Sequence, residues 1–412
     1  MSNKYVKKKT LMILLDAFSK TYFSKKNTPF LYDLSRDGIF THIEPLFAFK
    51  GIETTMFTGV WPCVHNVWTE FCFSKYQIDK KKDILSTKIR KAIDLLPTDK
   101  SRAMSKYALE RYVFQKPHAT PNLIPATAMA YFQQSQRIEI TKPGAVGNTQ
   151  TIFDVFRNEG IRFVFIEPWI LGDWGVSYKA KNLIKQKRNF DFWYLKINQL
   201  DHLGHEFGPS SFEFREQLNK IDKNVEEIVT LLQQENPNLN ILVLADHGMS
   251  KVYNTIDILQ DLSQLKSRMY TDYVAFVDST MIRFWFFTKL AKQEICELLK
   301  QIKCGHILTD LEKNLLKVPL DLKYGEIIYV VDEGNIIHPC FFHSRSFVKG
   351  MHGYAYSKTP DAFPILLMNN EIAQSVRNFQ PNKQFNYAQI AQLIIRSLIP
   401  NFSITISTEK EV

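Results

Sequence analysis

Short apolar runs alternate with helical patterns along most of the chain. Runs rich in Val, Ile, Leu and Phe are typical of buried strands, and helices between them are typical of connections in a parallel sheet. Six runs carry the strand pattern: residues 11–15, 40–43, 161–166, 190–197, 239–245 and 364–368. This alternation predicts an α/β protein with a mostly parallel central sheet that is flanked by helices.

Two helical patterns are clear enough to delimit. In residues 211–234, apolar side chains recur every three or four positions, which gives a helix one buried stripe. This pattern stops before Pro237, as expected because proline cannot continue a helix. Residues 387–398 carry a second apolar stripe, and we expect this helix to close the core.

Two segments interrupt the alternation. Residues 71–147 are basic and helical in pattern, whereas residues 250–349 mix helical and strand patterns. Neither an internal repeat nor a low-complexity linker separates them from the rest of the chain. We therefore expect one core over residues 1–412, with a basic helical insertion and a second, α/β insertion.

The composition is that of a globular protein with an excess of positive charge. The 412 residues are 45% hydrophobic, and the formal net charge is +10. Basic residues are dense near 80–82 and 88–91, which favours a solvated lysine-rich face over a surface that attracts substrate or membrane. The spacing matches neither a helix-turn-helix nor an RNA-binding sheet motif, so no specific nucleic-acid partner is expected.

Cysteine usage and hydropathy bear on the compartment. The five cysteines lie far apart with no C-x-x-C pair, so neither a zinc knuckle nor a disulfide framework is indicated. No apolar run is long enough for a membrane span, and the run at 11–15 is too short for a signal peptide. These patterns favour a cytoplasmic protein without a transmembrane segment.

Acidic and imidazole side chains follow the predicted strands. Asp16 comes directly after the first strand, and the Asp246-His247 pair follows the run at 239–245. In parallel α/β sheets, ligands bind at the carboxyl ends of the strands, so we expect these residues to share one crevice.

A second set of such residues follows the run at 190–197. Asp201 and His205 are four residues apart, so they lie on one face of a helical turn and could grip one ion. His352 lies between Gly350 and Gly353, where a flexible backbone could let its imidazole reach a pocket. Six such ligands could hold two divalent ions, and mixed Asp/His ligation suits zinc, manganese or iron. Two ions side by side suit in-line displacement at phosphorus, so phosphoester chemistry is expected.

The chain resembles the alkaline phosphatase superfamily, in particular its nucleotide pyrophosphatase/phosphodiesterase branch. The matching stretches occur in the family's order: LMILLDAF, NTPFLYDLSRDGIF, TTMFTGVWPCVHNVW, LDHLGHEFGP, LADHGMS and GMHGY. The resemblance implies hydrolysis of a small-molecule phosphoester, with zinc as the first choice of metal and manganese as the second. It also implies that Asp201, His205 and His352 bind one ion, and that Asp16, Asp246 and His247 bind the other.

One position departs from the family pattern. The family places a threonine or serine nucleophile where this chain has Phe49, and a gap of one residue would put Lys50 there instead. Thr54 is our candidate nucleophile, Thr55 is the second, and a metal-bound water is the third. Lys50 and Asn66 are candidate substrate-binding residues. A protein that binds metal or a phosphoester without turnover is the alternative function, because phenylalanine cannot attack phosphorus.

Overall fold

The computed structural model describes residues 8–74, 84–114, 121–168, 171–343, 348–376 and 385–399. The lysine run at 80–82 lies outside these ranges. Numbered in chain order, the strands are β1 (Thr10–Leu15), β2 (Ile39–His42), β3 (Phe71–Phe73), β4 (Phe132–Gln134), β5 (Phe163–Ile166), β6 (Phe192–Ile197), β7 (Asn240–Leu244), β8 (Ser250–Lys251), β9 (Asn254–Ile256), β10 (Tyr273–Val277), β11 (Met281–Phe286), β12 (Gly305–Ile307), β13 (Ile327–Val331), β14 (Asn335–Ile337), β15 (Gly350–Met351) and β16 (Ile365–Met368).

The α-helices that the structure describes are numbered in the same way. They are α1 (Pro29–Arg36), α2 (Lys50–Thr58), α3 (Pro62–His65), α4 (Ile84–Asp94), α5 (Asp99–Ala108), α6 (Ile152–Asn158), α7 (Gly172–Lys185), α8 (Gln199–Phe207), α9 (Phe212–Glu235), α10 (Ile258–Ser263), α11 (Lys289–Gln301), α12 (Asp310–Leu315), α13 (Asn370–Val376) and α14 (Ile390–Leu398).

The central sheet has six strands in the order β2-β16-β7-β1-β6-β5. The pairs that β1 forms with β6 and β7 are parallel, as is the pair of β5 with β6. Only β16 runs against its two neighbours in this sheet. All six predicted runs are strands of this sheet, so the predicted α/β fold with a mostly parallel sheet is confirmed.

Helices cover both faces of the sheet. Every residue of β1 is buried, and successive side chains point to opposite faces. Met12 and Leu14 pack in one hydrophobic cluster with residues of α2 and α14. Leu11 and Ile13 pack in the other cluster with residues of α7 and α9. The two helices expected from the sequence are therefore both core elements.

The two predicted helices begin at recognisable caps. The hydroxyl of Ser211 accepts a hydrogen bond from the amide of Phe214 at 3.1 Å, so Ser211 is the N-cap of α9. The helix expected over 387–398 starts with a 3₁₀ turn at Tyr387–Gln389 and continues as α14. The predicted ends differ from the observed ends by one residue for α9, and they coincide for the 3₁₀ turn and α14 together.

The segments outside the central alternation contribute further strands and helices, and part of the second segment packs in the cluster of Met12 and Leu14. Strands β10, β11, β13 and β12 make an antiparallel sheet within residues 250–349, and its core includes side chains of the β3–β4 pair. Residues 71–147 contribute α4 and α5, where a buried ion pair joins Arg90 to Glu110 at 2.6 Å. Among the described residues, no helix is both long and apolar enough to cross a bilayer.

Candidate metal centre

Asp16 is held at the carboxyl end of the middle of the sheet. Its strand, β1, is flanked by β6 and β7, and its own amide donates to the carbonyl of Ile197 at 2.8 Å. The next residue, Ala17, has a φ of 63°, a left-handed conformation that is uncommon for a residue with a Cβ. The chain thus turns sharply out of the sheet directly after the Asp16 carboxylate.

Asp246 and His247 follow the neighbouring strand β7. The Nδ1 of His247 donates to the carbonyl of Gly248 at 2.9 Å, which leaves Nε2 free for an ion. That Nε2 lies 3.1 Å from Asp16 Oδ1 and 3.8 Å from Asp246 Oδ1. Asp16, Asp246 and His247 therefore converge on one point, and we call these three residues the strand group.

A second set of three residues is built on α8. This helix contains Asp201 and His205, and its first amides are capped by a distant residue, Asp173. The Asp173 carboxylate accepts from the amides of Asn198 at 2.9 Å and Gln199 at 3.1 Å. The Nε2 of His205 lies 3.2 Å from Asp201 Oδ1, so the two side chains face each other as their spacing predicts.

His352 completes this second set from the other side. It follows β15, and its Nε2 lies 3.5 Å from Asp201 Oδ1. The Nδ1 of His205 donates to the carbonyl of Gly350 at 2.8 Å, which aims the other ring nitrogen at Asp201. A Cβ on Gly350 would lie 2.5 Å from the carbonyl oxygen of Gly204, so only glycine permits this approach. We call Asp201, His205 and His352 the helix group.

The two groups adjoin each other. The imidazole rings of His247 and His352 stack with centroids 3.6 Å apart and an interplanar angle of 5°. Within each group, the candidate ligand atoms lie within 4.8 Å of one another. His247 and His352 also line a pocket that is open to solvent. All six predicted ligands thus meet at one centre, while His202 is exposed on the same helix.

Two carboxylate oxygens show that this donor set fits divalent cations. Asp16 Oδ1 and Asp201 Oδ1 are buried and have no hydrogen-bond partner. A buried carboxylate oxygen without a partner is costly, and each of these faces an imidazole nitrogen of its own group. Oxygen and nitrogen donors in this mixture suit zinc or manganese.

The pKa values of the centre are strongly displaced in both directions. Burial raises the pKa of Asp246 to about 6, and the charge of Asp16 adds to this. Burial would lower the pKa of His247, but the carboxylates of Asp246 and Asp16 raise it to about 10. Burial would raise the pKa of Asp201, but His205 lowers it to about 2. Burial and the charge of His247 hold the pKa of His352 well below its usual range.

Lys196 adds a cation that the sequence reasoning missed. Its Nζ lies 3.4 Å from Asp16 Oδ2 and 3.7 Å from Asp246 Oδ2. A signal for it was present, because Lys196 is the one charged residue in the apolar strand FWYLKI. A lysine that is largely buried in such a strand is expected to have a carboxylate partner.

Comparison with known proteins identifies the family of this chain. The model of the family "Type I phosphodiesterase / nucleotide pyrophosphatase" matches residues 10–355. The chain belongs to this family. The expected resemblance to the alkaline phosphatase superfamily is therefore confirmed.

Several members of the family are measurably similar to the chain. Ectonucleotide pyrophosphatase/phosphodiesterase 1 of Saccharomyces cerevisiae is 24% identical over 290 residues, which are 65% of this chain and 37% of that protein. Venom phosphodiesterase of Macrovipera lebetinus is 27% identical over 214 residues, which are 50% of this chain and 23% of that protein. The chain thus spans well under half the length of these two relatives.

Solved structures support the same fold. Human ectonucleotide pyrophosphatase/phosphodiesterase 5 superposes with a TM-score of 0.64 at 16% identity, over 96% of each chain. The murine protein of that name, in an inactive form in complex with AMP, superposes with a TM-score of 0.62 at 15% identity and with the same coverage. At this identity, the likeness establishes the fold alone.

The position at which the sequence resemblance places a nucleophile is occupied by an aromatic residue, Phe49. Phe49 is the N-cap of α2, and its amide donates to the carbonyl of Trp68 at 3.0 Å. A Cβ on Gly353 would lie 2.8 Å from the ring atoms of Phe49. The ring therefore packs against the residue that follows His352, and Phe49 offers no group that could attack phosphorus.

The two candidate hydroxyls of α2 are buried in helix packing. Thr54 Oγ1 is a donor that lies 3.0 Å from Gln136 Oε1 and 3.1 Å from the carbonyl of Lys50. Thr55 Oγ1 lies 3.0 Å from Nε2 of His65, whose Nδ1 accepts from the amide of Val67. Because Nδ1 is an acceptor, Nε2 carries the proton and donates to Thr55, so His65 is not positioned as a base for that hydroxyl.

The two candidate substrate-binding residues have partners of their own. Lys50 pairs with Glu53 one turn further along α2. The side-chain amide of Asn66 donates to Asp321 at 3.0 Å, and the backbone carbonyl of Asn66 accepts from the hydroxyl of Tyr324 at 2.8 Å. None of these contacts involves a metal-ligand candidate, so the substrate roles of Lys50 and Asn66 stay predictions.

Proposed function

We propose that the chain is a metal-dependent hydrolase of phosphate esters that acts on phosphodiesters or nucleotide pyrophosphates by in-line displacement at two divalent ions. One observation carries this proposal: the strand group and the helix group adjoin through the stacked rings of His247 and His352. Family membership supports phosphoester hydrolysis as the reaction class. Because the chain covers so little of its curated relatives, their activity is part of the proposal.

Each group would hold one ion, with zinc as our first choice and manganese as the second. Asp201, His205 and His352 form one ligand set, and Asp16, Asp246 and His247 form the other. When bound, two such ions polarise a phosphoryl oxygen and lower the pKa of a water. Hydrogen bonds from Nδ1 of His205 and His247 to backbone carbonyls fix both tautomers, so both Nε2 atoms are available as ligands.

We propose that water, rather than a side chain, attacks phosphorus. The Phe49 ring occupies the start of α2, and the hydroxyls of Thr54 and Thr55 are buried and hydrogen-bonded. Thr54 is the side-chain alternative, and the two routes differ in stereochemistry at phosphorus. One displacement by water inverts the configuration, whereas two successive displacements retain it.

The substrate class we propose is a small nucleotide phosphodiester. The murine relative in complex with AMP supports a nucleotide, and an open pocket lies beside His247 and His352. The five cysteines carry free thiols, which fits the cytoplasmic setting proposed from their spacing.

The test is turnover by purified protein that has been stripped of metal and reloaded with zinc or manganese. We expect cleavage of bis(p-nitrophenyl) phosphate and of a nitrophenyl ester of thymidine monophosphate, and we expect Asp246→Ala to abolish it. Asp310→Ala is the matched control, because that aspartate is 82% exposed on α12. Cleavage that survives Asp246→Ala contradicts the proposal, and stoichiometric metal without turnover on a broad ester panel favours the non-catalytic alternative.

A further inference from the structure

The basic insertion places large apolar side chains in solvent. Among the residues that the structure describes, Leu95 and Tyr112 are the most exposed large hydrophobic side chains, at 85% and 72%. Leu95 directly follows α4, and Tyr112 lies in a π-helical turn, Leu109–Val113, that continues α5. The Tyr112 ring contacts that of Tyr107 edge to face, with centroids 6.3 Å apart. Single exposed apolar residues are common on protein surfaces, but several in one small unit are typical of an interaction site.

Exposed lysines share helix faces with the apolar side chains. Lys88, Lys91 and Leu95 have the i, i+3, i+7 spacing of one helical face, and all three are exposed. On α5, Lys100 and Met104 are four positions apart, and both are exposed. Lysines alone are typical of a solvated face, which needs no apolar side chains among them. Each helix thus presents to solvent a face that combines positive charge with apolar surface.

The carboxylates of these two helices and the π turn do not cancel the charge of that surface. The stretch has seven basic residues and three acidic ones, so its balance is positive even when every carboxylate is counted. Glu110 is buried and pairs with Arg90 at 2.6 Å. Asp94 accepts from two backbone amides of the segment that follows the helices, at 2.6 and 2.9 Å. Asp99 pairs with Arg102. All three carboxylates are therefore engaged in contacts within the insertion.

A bilayer with anionic lipids matches both properties of this surface. Lysines are attracted to the negative surface potential of such a bilayer, while leucine and methionine side chains enter the boundary between headgroups and acyl chains. Tyrosine favours the headgroup level, because its ring is apolar and its hydroxyl is polar. A nucleic acid would also attract the lysines, but it is bound through polar contacts and stacked aromatic rings, and the aliphatic side chains would gain little. The combination therefore favours a lipid surface over a nucleic acid.

We propose that the exposed faces of α4 and α5 bind the surface of an anionic lipid bilayer. The side chains that form this insertion face are Lys88, Lys91, Leu95, Lys100, Met104 and Tyr112. The attachment is peripheral, because the apolar side chains enter only the headgroup region. The inference is independent of the proposed function, since the insertion face contains no metal-ligand candidate and its binding requires no turnover.

The first test is sedimentation of the purified full chain with large vesicles. Vesicles of phosphatidylcholine with about 30% phosphatidylserine are compared with vesicles of phosphatidylcholine alone, at low and at high salt. We expect binding to the anionic vesicles that is at least about tenfold tighter than binding to the neutral ones and that weakens as salt is added. Equal binding to both kinds of vesicle, or no binding to either, would overturn the inference.

The second test removes the lysines of the insertion face. Lys88→Gln with Lys91→Gln should weaken binding to the anionic vesicles by about tenfold or more, because each basic residue near such a surface contributes about fivefold. Lys289→Gln with Lys300→Gln is the matched control, since both residues are exposed on α11 of the second insertion. An equal loss in the two double variants would show that total charge, and not the insertion face, determines binding, and it would overturn the inference.

The third test removes the apolar side chains of the same face. Leu95→Ala with Tyr112→Ala should weaken vesicle binding by about tenfold and leave the far-ultraviolet circular dichroism unchanged, because both side chains are exposed. Leu311→Ala with Tyr253→Ala is the control, since these two side chains are also largely exposed but lie on the second insertion. Unchanged binding in Leu95→Ala with Tyr112→Ala would overturn the role of the apolar side chains.

Two further measurements distinguish a bilayer from other partners. Tighter binding to a single-stranded oligonucleotide than to the anionic vesicles, lost in Lys88→Gln with Lys91→Gln, would assign the insertion face to nucleic acid and overturn the inference. Self-association in sedimentation equilibrium that Leu95→Ala with Tyr112→Ala abolishes would assign the face to a second copy of the chain, with the same consequence. A monomer that prefers the vesicles supports the inference, whether or not it cleaves a phosphoester.

Discussion

The ligand groups and helix α2 adjoin the same loop at His352 and Gly353, but their polar side chains are used differently. The candidate ligands leave Asp16 Oδ1 and Asp201 Oδ1 buried and without a hydrogen-bond partner. The hydroxyls of Thr54 and Thr55 are all engaged in contacts within the protein. The candidate metal centre thus has carboxylate oxygens available for cations, whereas the candidate hydroxyls of α2 are used in packing.

This difference favours a mechanism that depends on ions more than on a side-chain nucleophile. Six ligands around two ions can by themselves supply charge stabilisation and an activated water. Phe49 offers no hydroxyl at the position where the resemblance predicts a nucleophile, and its ring packs against Gly353. Variants of the two regions should therefore have unequal effects on turnover.

The largest effect is expected for a ligand of the helix group. Asp201→Ala removes the carboxylate that faces both His205 and His352, so one ion should be lost. Several kcal/mol of transition-state stabilisation by that ion correspond to a fall in kcat/KM of about a thousandfold or more. Metal content after gel filtration and turnover of the nitrophenyl diester check this. Glu206→Gln, an exposed change on the same helix, is the control, and equal effects of the two changes would contradict the assignment.

A smaller effect is expected for the residue that caps this helix from a distance. Asp173→Asn leaves one acceptor oxygen where two amides, of Asn198 and Gln199, now donate. Loss of such support for a ligand commonly costs about tenfold in metal affinity. The loss of zinc affinity in Asp173→Asn can be measured by titration in competition with a chelator.

The control for this second prediction is Asp257→Asn. Asp257 caps its own helix, α10, by accepting from the amide of Gln260 at 2.9 Å. That change should leave zinc affinity unaltered, because α10 carries no candidate ligand. If Asp257→Asn lowered zinc affinity as much as Asp173→Asn does, the loss would follow from removing any helix cap. It would then not reflect support of the helix that carries Asp201.

The division of the candidate ligands into two sets was implied only by the family resemblance, but four of the positions follow from local rules. Asp16 and Asp246 end buried strands, and Asp201 and His205 lie four residues apart, so strand ends and helix periodicity suffice. Lys196 could not be placed, because the apolar run reveals a lysine but not the register that sets it beside Asp16. Asp173 reaches α8 from another helix, a tertiary contact that no local pattern encodes.

The direction of β16 could not be predicted from the sequence either. Its apolar run, ILLM, is buried throughout, and a fully buried strand has the same hydrophobic pattern whichever way it runs. The pairing with β7 and β2 shows that it is antiparallel. The mostly parallel sheet was predictable as a class, but this one reversal in it was not.

The third prediction concerns the contact between α2 and the loop after His352. Gly353 has a φ of 76°, and a Cβ there would lie 2.8 Å from the Phe49 ring. Gly353→Ala should lower the free energy of unfolding in urea by about 1–3 kcal/mol and reduce turnover several-fold by displacing His352.

Phe49→Ala in the same chain separates the two causes. It removes the clash but not the backbone strain, so the double variant should recover part of the lost stability. If the two residues are in contact, the changes in the free energy of unfolding should be coupled. If the sites are independent, the changes should add. Additive losses in the double-mutant cycle would contradict the contact between Phe49 and Gly353.

The smallest effect is expected for the candidate nucleophile itself. Thr54→Val removes a buried hydroxyl that bonds Gln136, so it should cost about 1 kcal/mol of stability and change kcat by less than about threefold. Thr58→Val is the matched control, because that hydroxyl donates to a carbonyl of the same helix. Hydrolysis of a chiral phosphorothioate diester in oxygen-18 water should invert the configuration at phosphorus in the native protein. Retention of the configuration at phosphorus, together with a fall in kcat of about a thousandfold or more in Thr54→Val but not in Thr58→Val, would contradict this prediction. That result would identify Thr54 as the nucleophile.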